Sequence, residues 1–276
     1  EETTVHWHGM HLPAAMDGGP HTPIPPGAIW SPQWMIDQPA ATLWYHPHPH
    51  GRTAEHVYRG LAGLFLVDDP ATQVDALPHR YGLDDIPVVV QDKNFDGDRL
   101  DFSPSLFGMG ILGRSIVVNG TLAPYLEVRT ERVRLRLLNG SNARVYQFAF
   151  ADRRSFALVG TDGGLLPAPV TTDRVLLSPG ERAEIVVTVR PGERAVLRSD
   201  PPETGSPVGR LFGGADAFDV LELRAAPSLE PSPAVPDRLV EVPALAVDAA
   251  APTRTVRLTD MGINNRQMDM TRIDAT

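Results

Sequence analysis

A chain of 276 residues, 42% of them hydrophobic, is long enough to bury a core and too apolar to be disordered. Its net charge of −9 argues against a nucleic-acid partner, and its apolar runs fall short of the 18 residues that a membrane span needs. The absence of cysteine excludes disulfides, iron–sulfur clusters, thiolate-bound zinc, a cysteine nucleophile and a blue copper centre within this chain.

The first 70 residues are predicted to form short strands joined by tight turns. The chain contains 24 glycines and 27 prolines, which favour many short strands over helices. Turns are indicated where glycine and proline cluster, as in 17–20 and 24–27. The apolar run 60–67 predicts a buried strand that ends in the turn 68–70.

Two histidine pairs lie in this region, His6-Trp7-His8 and His46-Pro47-His48, and all nine histidines precede residue 80. Side chains repeat every two residues in a strand, so both imidazoles of a pair project from one face, about 7 Å apart. Two such strands side by side offer four convergent imidazoles, which suit copper, zinc, iron or nickel. The prolines place the second pair at a strand end or edge. We expect His6, His8, His46 and His48 to meet at one exposed edge as metal ligands.

The remaining histidines are predicted to have other roles. His50 shares a face with the second pair, but Gly51 is expected to turn the chain away before ligation. The residues His11, His21 and His56 fall in or near predicted loops and are expected to be surface or supporting groups. His79 is predicted to be solvated in a connector.

The second part of the chain predicts a β-sandwich or barrel. A polar connector over 71–83 precedes strands spaced by about 8–15 residues, with turn pairs such as Asn139-Gly140 between them. The segment 225–252 contains six prolines and suits an extended linker, after which new strands begin. The predicted strands are Ile86–Gln91, Ser115–Val118, Val133–Leu138, Val145–Phe150, Arg174–Leu177, Ala183–Val189, Ala195–Leu197 and Phe218–Leu223.

The histidine motifs and several later segments together resemble the multicopper oxidases, most closely the bacterial branch of cuprous (copper-efflux) oxidases and laccases. Thr4–Gly9 and Trp44–Gly51 carry most of the resemblance, and 60–63 adds to it. It continues through 88–93, Arg136–Arg144 and Thr161–Leu166, and ends with 263–270, so it covers nearly the whole chain.

The resemblance implies an all-β fold of tandem cupredoxin-like Greek-key β-sandwiches. Residues 1–70 would be an N-terminally incomplete first domain that carries both histidine pairs, followed by the connector 71–83. Residues 84–225 would be a second domain without metal ligands, 226–252 a Pro/Ala-rich linker, and 253–276 the truncated start of a third domain.

The resemblance also implies a copper-dependent oxidase that couples one-electron oxidation of Cu(I), phenols or similar reductants to reduction of O₂ to water. The partners would be O₂ and small reductants, and the location periplasmic or secreted, with no oligomeric state predicted. By motif position, His6 would bind the type 2 copper of a trinuclear cluster, and His8, His46 and His48 the paired type 3 coppers. Asp17 would relay protons to oxygen; its alternative is an ordinary turn aspartate.

The chain lacks features that the resemblance would require for activity. Two further histidine pairs and the cysteine-containing type 1 copper site of the family's third domain are absent from it. We therefore expect a fragment of a longer oxidase, catalytically incomplete on its own.

Three alternatives remain open. A copper-free structural relative, like the periplasmic cell-division proteins that resemble multicopper oxidases, is disfavoured because all four expected histidines are present. A two-domain copper enzyme would carry its own cysteine. A zinc or nickel site on an unrelated sandwich would need a carboxylate or water to complete its coordination.

Overall fold

The computed structural model describes residues 1–69, 76–103, 110–202, 213–244, 246, 251–259 and 262–266. Strands dominate, so the predicted all-β class is confirmed, with cupredoxin-like sandwich packing. The helical elements that lie wholly within the described residues are α1 (Thr53–Tyr58) and a 3₁₀ turn (Ala14–Met16), and no described helix has the length and apolar character of a membrane span. The strands are β1 (His6–His8), β2 (Ala41–His46), β3 (Gly63–Val67), β4 (Asp85–Asp96), β5 (Arg99–Asp101), β6 (Ser115–Val118), β7 (Thr121–Leu122), β8 (Tyr125–Thr130), β9 (Arg132–Asn139), β10 (Tyr146–Phe150), β11 (Phe156–Thr161), β12 (Gly164–Thr172), β13 (Arg174–Leu177), β14 (Arg182–Thr188), β15 (Arg194–Asp200), β16 (Phe218–Glu230), β17 (Leu258–Thr259) and β18 (Gly262–Ile263).

A small antiparallel sheet, β1-β2-β3, carries the histidine motifs. Alternation along β2 divides its side chains between two faces. Leu43 packs on one face with Met10, Val67 and Phe65 to form a small core. Thr42, Trp44 and His46 occupy the other face, which the β1 register extends by pairing His6 with His46 and His8 with Trp44.

The second part of the chain forms a sandwich of an eight-stranded and a five-stranded sheet. The larger sheet has the order β12-β11-β14-β9-β4-β6-β7, with β5 paired to β4, and the smaller has the order β13-β10-β15-β16-β8. Alternation in β9 sends Val133, Leu135 and Leu137 into the core between the sheets, where all three are fully buried. Burial of each such side chain stabilises the fold by roughly 1.5–3 kcal/mol.

The outer face of the larger sheet buries charged residues beneath β2. Arg136 makes two 2.7 Å hydrogen bonds to the Asp85 carboxylate, and Arg134 Nε donates to Glu184 Oε2 at 2.8 Å. Thr42 Oγ1 of β2 donates to Glu184 Oε1 at 2.6 Å and accepts from Arg136 Nη1 at 2.8 Å. These charges tolerate burial because each has an opposite partner, and the network fixes the small sheet on the sandwich.

All eight strands predicted in the second part are present, and four of them are longer than expected. α1 and five strands, β5, β7, β8, β11 and β12, were not predicted from the sequence. β12 contains Pro167 and Pro169, which are tolerated because it lies at the edge of its sheet. β8 also lies at an edge and has three exposed residues, so its apolar pattern is weak.

The predicted domain boundaries stay predictions. β16 continues to Glu230, five residues into the predicted linker, and Leu239 further along packs against Val159 and Leu165. Parts of the predicted connector (71–75), linker (245 and 247–250) and third domain (260–261 and 267–276) lie outside the described residues.

Candidate metal centre

Three of the predicted ligands meet at the paired ends of β1 and β2. The ring centroids of His6, His8 and His46 are 5.2–5.8 Å apart. One ligand atom from each of the three lies within 4.8 Å of the others, a spacing at which one metal ion can be held. The β1–β2 register produces this arrangement, since it places His6 directly opposite His46.

His48 lies beside this group but beyond the end of β2. Its ring centroid is 5.4 Å from that of His6 and 5.8 Å from that of His46. The Nδ1 atom of His48 is buried and has no hydrogen-bond partner among the described residues, so this imidazole nitrogen is free to bind a metal ion. The structure therefore brings all four predicted histidines together, as a compact group of three with a fourth alongside.

The Asp17 residue contacts His6 through both its backbone and its side chain. The backbone carbonyl of Asp17 is 3.0 Å from His6 Nδ1, and its carboxylate Oδ1 is 3.2 Å from the same atom. A proton on Nδ1 satisfies both oxygens and leaves His6 Nε2 free as a metal ligand. Gly18 permits this contact, because a Cβ atom there would lie 1.7 Å from the Val5 carbonyl oxygen.

Local contacts orient His8 and His46 as well. His46 Nδ1 is 2.9 Å from the Pro47 carbonyl oxygen, which favours a proton on Nδ1 and directs Nε2 into the cluster. That Nε2 lies 3.3 Å from His8 Nδ1. The Trp44 indole packs on both rings, with centroid distances of 4.2 Å to His46 and 5.0 Å to His8.

Burial keeps these two imidazoles neutral. Desolvation, assisted by the positive charge of Arg182, lowers the pKa of His8 to about 4. Desolvation also lowers the pKa of His46 to about 4, although its hydrogen bond to the Pro47 carbonyl opposes the change. At neutral pH both residues are therefore in the uncharged form that binds metals.

The cluster is less exposed than the sequence predicted. His46 is buried, and the other three histidines are half-buried. The Gly180 turn before β14 approaches this face, and a Cβ there would lie 3.6 Å from Trp44 and 3.7 Å from His8. The expectation of an exposed edge was wrong because packing on the sandwich covers the histidine face of the small sheet.

The other histidines lie outside the group of three close ligands. His50 is exposed, as are His11 and His79. His56, expected in or near a loop as a surface or supporting group, is buried in α1, with Nδ1 3.3 Å from Thr3 Oγ1 and Nε2 3.3 Å from Glu1 Oε1. His56 is buried because it lies in α1, a six-residue helix that was not predicted from the sequence.

Two supporting residues were missed by the sequence analysis. Thr4 Oγ1 accepts a 2.6 Å hydrogen bond from the His48 backbone N–H. Thr4 lies two residues before His6 and four before His8. Because side chains in a strand repeat every two residues, this spacing could have indicated the role of Thr4. Arg182 pairs with Asp162 at 2.9 Å and donates to the Thr42 carbonyl at 3.1 Å. The contact with Thr42 joins residues 140 positions apart, so no local motif could reveal it.

The donor set fits copper. Imidazole nitrogen is a ligand for copper, and also for zinc, iron and nickel. A histidine-ligated ion requires imidazole rings that are oriented and have a free nitrogen. His8 and His46 are neutral, and Asp17 orients the ring of His6. The Nδ1 atom of His48 has no partner among the described residues. Chemically, the cluster can hold a metal ion and place a carboxylate next to one of its ligands.

Residues 1–72 and 93–195 each match a sequence profile described as multicopper oxidase. The chain is 39% identical to "Cell division protein FtsP" from Rahnella sp. over 277 residues, covering 97% of this chain and 58% of that protein. A laccase structure from Pediococcus acidilactici is 35% identical with a TM-score of 0.86, covering 99% of this chain and 58% of its own. The McoA multicopper oxidase structure from Aquifex aeolicus is 35% identical with a TM-score of 0.83, covering 95% and 59%. The chain thus spans less than two thirds of these relatives.

Proposed function

The chain belongs to the multicopper oxidase family, and from this membership we propose that its histidine cluster forms part of the copper centre of an O₂-reducing oxidase. The oxidase would take single electrons from Cu(I), phenols or similar small reductants and reduce O₂ to water. The observation that carries the proposal is the convergence of His6, His8 and His46, whose ligand atoms lie within 4.8 Å of one another.

Each residue of the cluster has a proposed part. Bound copper would supply the electron-transfer and O₂-reducing chemistry. His6 would hold the type 2 copper, and His8, His46 and His48 the type 3 coppers. Asp17 is proposed to relay protons, since its carboxylate touches His6 Nδ1 at 3.2 Å and is 40% exposed to solvent. Trp44 covers two of the rings and excludes water from that side.

The proposal concerns a longer protein than this chain. Four imidazoles are too few for three coppers, so further histidine pairs and a type 1 copper site would have to come from outside residues 1–276. Such residues have room in proteins of the relatives' length, of which the chain spans 58%. By the same resemblance, we propose a periplasmic or secreted location.

Copper loading of the purified chain tests the proposal. We expect bound copper after dialysis against Cu(II), with electron paramagnetic resonance showing nitrogen ligation. His46→Ala should lose most of that copper, because it removes the ligand shared by the closest contacts. His79→Ala is the matched control, since His79 is exposed and lies outside the cluster. Equal copper in His46→Ala and the unmodified chain would refute the assignment.

A second candidate is a copper-free structural role in cell division. The curated relatives favour it, because those reported at 38–39% identity carry the name "Cell division protein FtsP". In this role the cupredoxin-like fold would act as a binding scaffold, and the histidine cluster would be dispensable.

Complementation distinguishes the two candidates. Cells of the source organism that lack the gene would receive either the unmodified full-length protein or one with all four cluster histidines replaced by alanine. Normal division with the replaced form, at equal protein level, supports the structural role. Restoration of copper tolerance or of oxidase activity only by the unmodified form supports the oxidase.

A further inference from the structure

The position of His48 cannot be set by the β-ladder. β2 ends at His46, and His48 is flanked by Pro47 and Pro49, neither of which has a backbone N–H. Within 47–49 the His48 N–H is therefore the sole backbone donor. A hydrogen bond donated by this N–H can hold the segment against the residues that precede β1.

Thr4 receives that hydrogen bond. Its Oγ1 accepts from the His48 N–H at 2.6 Å, and the threonine is 1% exposed. The β1–β2 register pairs His8 with Trp44 and His6 with His46, and its continuation by two residues places Thr4 opposite His48. The threonine hydroxyl thus replaces a ladder hydrogen bond at the point where proline ends the strand.

The segment that carries Thr4 is itself fixed. Thr3 exchanges two backbone hydrogen bonds with Ile24, at 3.2 and 2.8 Å, and its hydroxyl is 3.3 Å from His56 Nδ1. Thr4 is therefore a rigid acceptor rather than part of a free arm. Through it, the ring of His48 stays 5.4 Å from that of His6 although His48 is off the strand.

We propose that Thr4 is a positioning residue that fixes His48 in the histidine cluster through the His48 backbone N–H. Thr4 acts on the histidine and is not assigned contact with a metal or a substrate. The effect on copper rests on the proposed function, whereas the effect on the His48 segment does not.

Hydrogen exchange in the metal-free protein tests the positioning directly. Labelling with ¹⁵N-histidine gives nine backbone amide signals, of which that of His48 is assigned by its loss in His48→Asn. Thr4→Val should speed exchange of the His48 amide roughly five- to tenfold, the factor expected for one hydrogen bond. Thr4→Ser keeps the hydroxyl and should restore protection. Unchanged protection in Thr4→Val overturns the inference.

A matched control separates this effect from general loosening. Thr130→Val removes a buried threonine hydroxyl in the sandwich, which donates to the Arg132 carbonyl. It should leave His48 exchange unaltered; acceleration equal to that in Thr4→Val would overturn the inference. Circular dichroism checks folding, and Thr4→Ala replaces Thr4→Val if valine prevents it.

Copper binding gives the second measurement. Thr4→Val should lower copper stoichiometry or change the paramagnetic resonance parameters, and Thr4→Ser should resemble the unmodified chain. Absence of copper from the unmodified chain would defeat the proposed function while the exchange result still decides the positioning role. Copper binding by Thr4→Val that matches the unmodified chain, despite faster amide exchange, would overturn a role in placing the metal ligand.

Discussion

At the scale of single residues, burial lowers the pKa of two histidines and one lysine. Burial lowers the pKa of His8 and His46 to about 4, so these two rings of the histidine cluster are neutral at physiological pH. The same cause lowers the pKa of Lys93, a buried lysine of β4, to about 8, against the opposing effect of Asp92. Its ammonium group donates to the Tyr58 carbonyl, which ties α1 to the sandwich.

The lowered pKa of Lys93 predicts that the free energy of unfolding rises with pH. A folded pKa near 8, below the ordinary value of 10.5, means that the unfolded chain binds more protons between these values. The free energy of unfolding should therefore increase from pH 8 to 10.5, by up to about 3 kcal/mol, relative to Lys93→Met. Urea unfolding of both proteins at several pH values measures this difference. A difference that is constant over the range would contradict the prediction.

Removal of the charge on Glu184 is expected to lower the free energy of unfolding strongly. Burial opposes its ionisation, but Arg134 and Arg136 outweigh burial and hold the pKa of Glu184 below its usual range. Glu184→Gln would remove the charged partner of Arg134 and one of the two charged partners of Arg136, at a cost of about 3–5 kcal/mol. Chemical denaturation measures the loss. Glu230→Gln, at an exposed pair with Arg80, is the control and should change stability little.

At the scale of the elements, a tight turn holds Asp17 against β1. Asp17 caps the 3₁₀ turn, and its carbonyl also accepts from the Trp7 N–H at 3.3 Å. Gly18 follows with φ +70°, where its missing Cβ leaves room for the Val5 carbonyl. The turn thus depends on Gly18, which directly follows Asp17, the residue that contacts the predicted ligand His6.

Replacement of Gly18 by alanine should therefore disrupt this element. The Cβ–oxygen approach of 1.7 Å forces a backbone shift, so we expect a loss of about 3 kcal/mol or more and displacement of Asp17 from His6. Gly27→Ala is the matched control. Its φ is similar at +79°, but the space is open, so its cost should be about 1 kcal/mol. Equal losses measured by thermal unfolding would contradict the steric explanation.

The sequence contained enough information for the strands of the core and for the histidine pairs. The alternation in Val133–Leu138 and the spacing of His6 and His8 depend on the two-residue period of a strand, which is local. The docking of Thr42 on Glu184 depends on residues 142 positions apart, and so does the burial of the histidine face. Such contacts leave no periodic signal, which explains the wrong expectation of an exposed cluster.

At the scale of the whole molecule, the buried network predicts that the small sheet and the sandwich unfold together. All four tryptophans, Trp7, Trp30, Trp34 and Trp44, precede residue 50, so their fluorescence reports on the first part of the chain. Far-ultraviolet circular dichroism reports mainly on the sandwich, which has most of the strands.

The two signals should therefore change at the same urea concentration in the unmodified protein. In Thr42→Val, which removes the hydroxyl between Glu184 and Arg136, the fluorescence transition should occur at lower urea than the dichroism transition. Thr130→Val, a buried threonine within the sandwich, serves as the control. Separate transitions in the unmodified protein would show that the network does not couple the two parts.

The distance along the chain between Thr42 and Glu184 also orders events during synthesis. Residues 1–69 leave the ribosome with all four cluster histidines, but the surface that covers them is completed only when β14 emerges. Until then the imidazoles are more exposed to solvent and to metal ions in solution. The histidine cluster therefore reaches its final burial only after β14 has been synthesised.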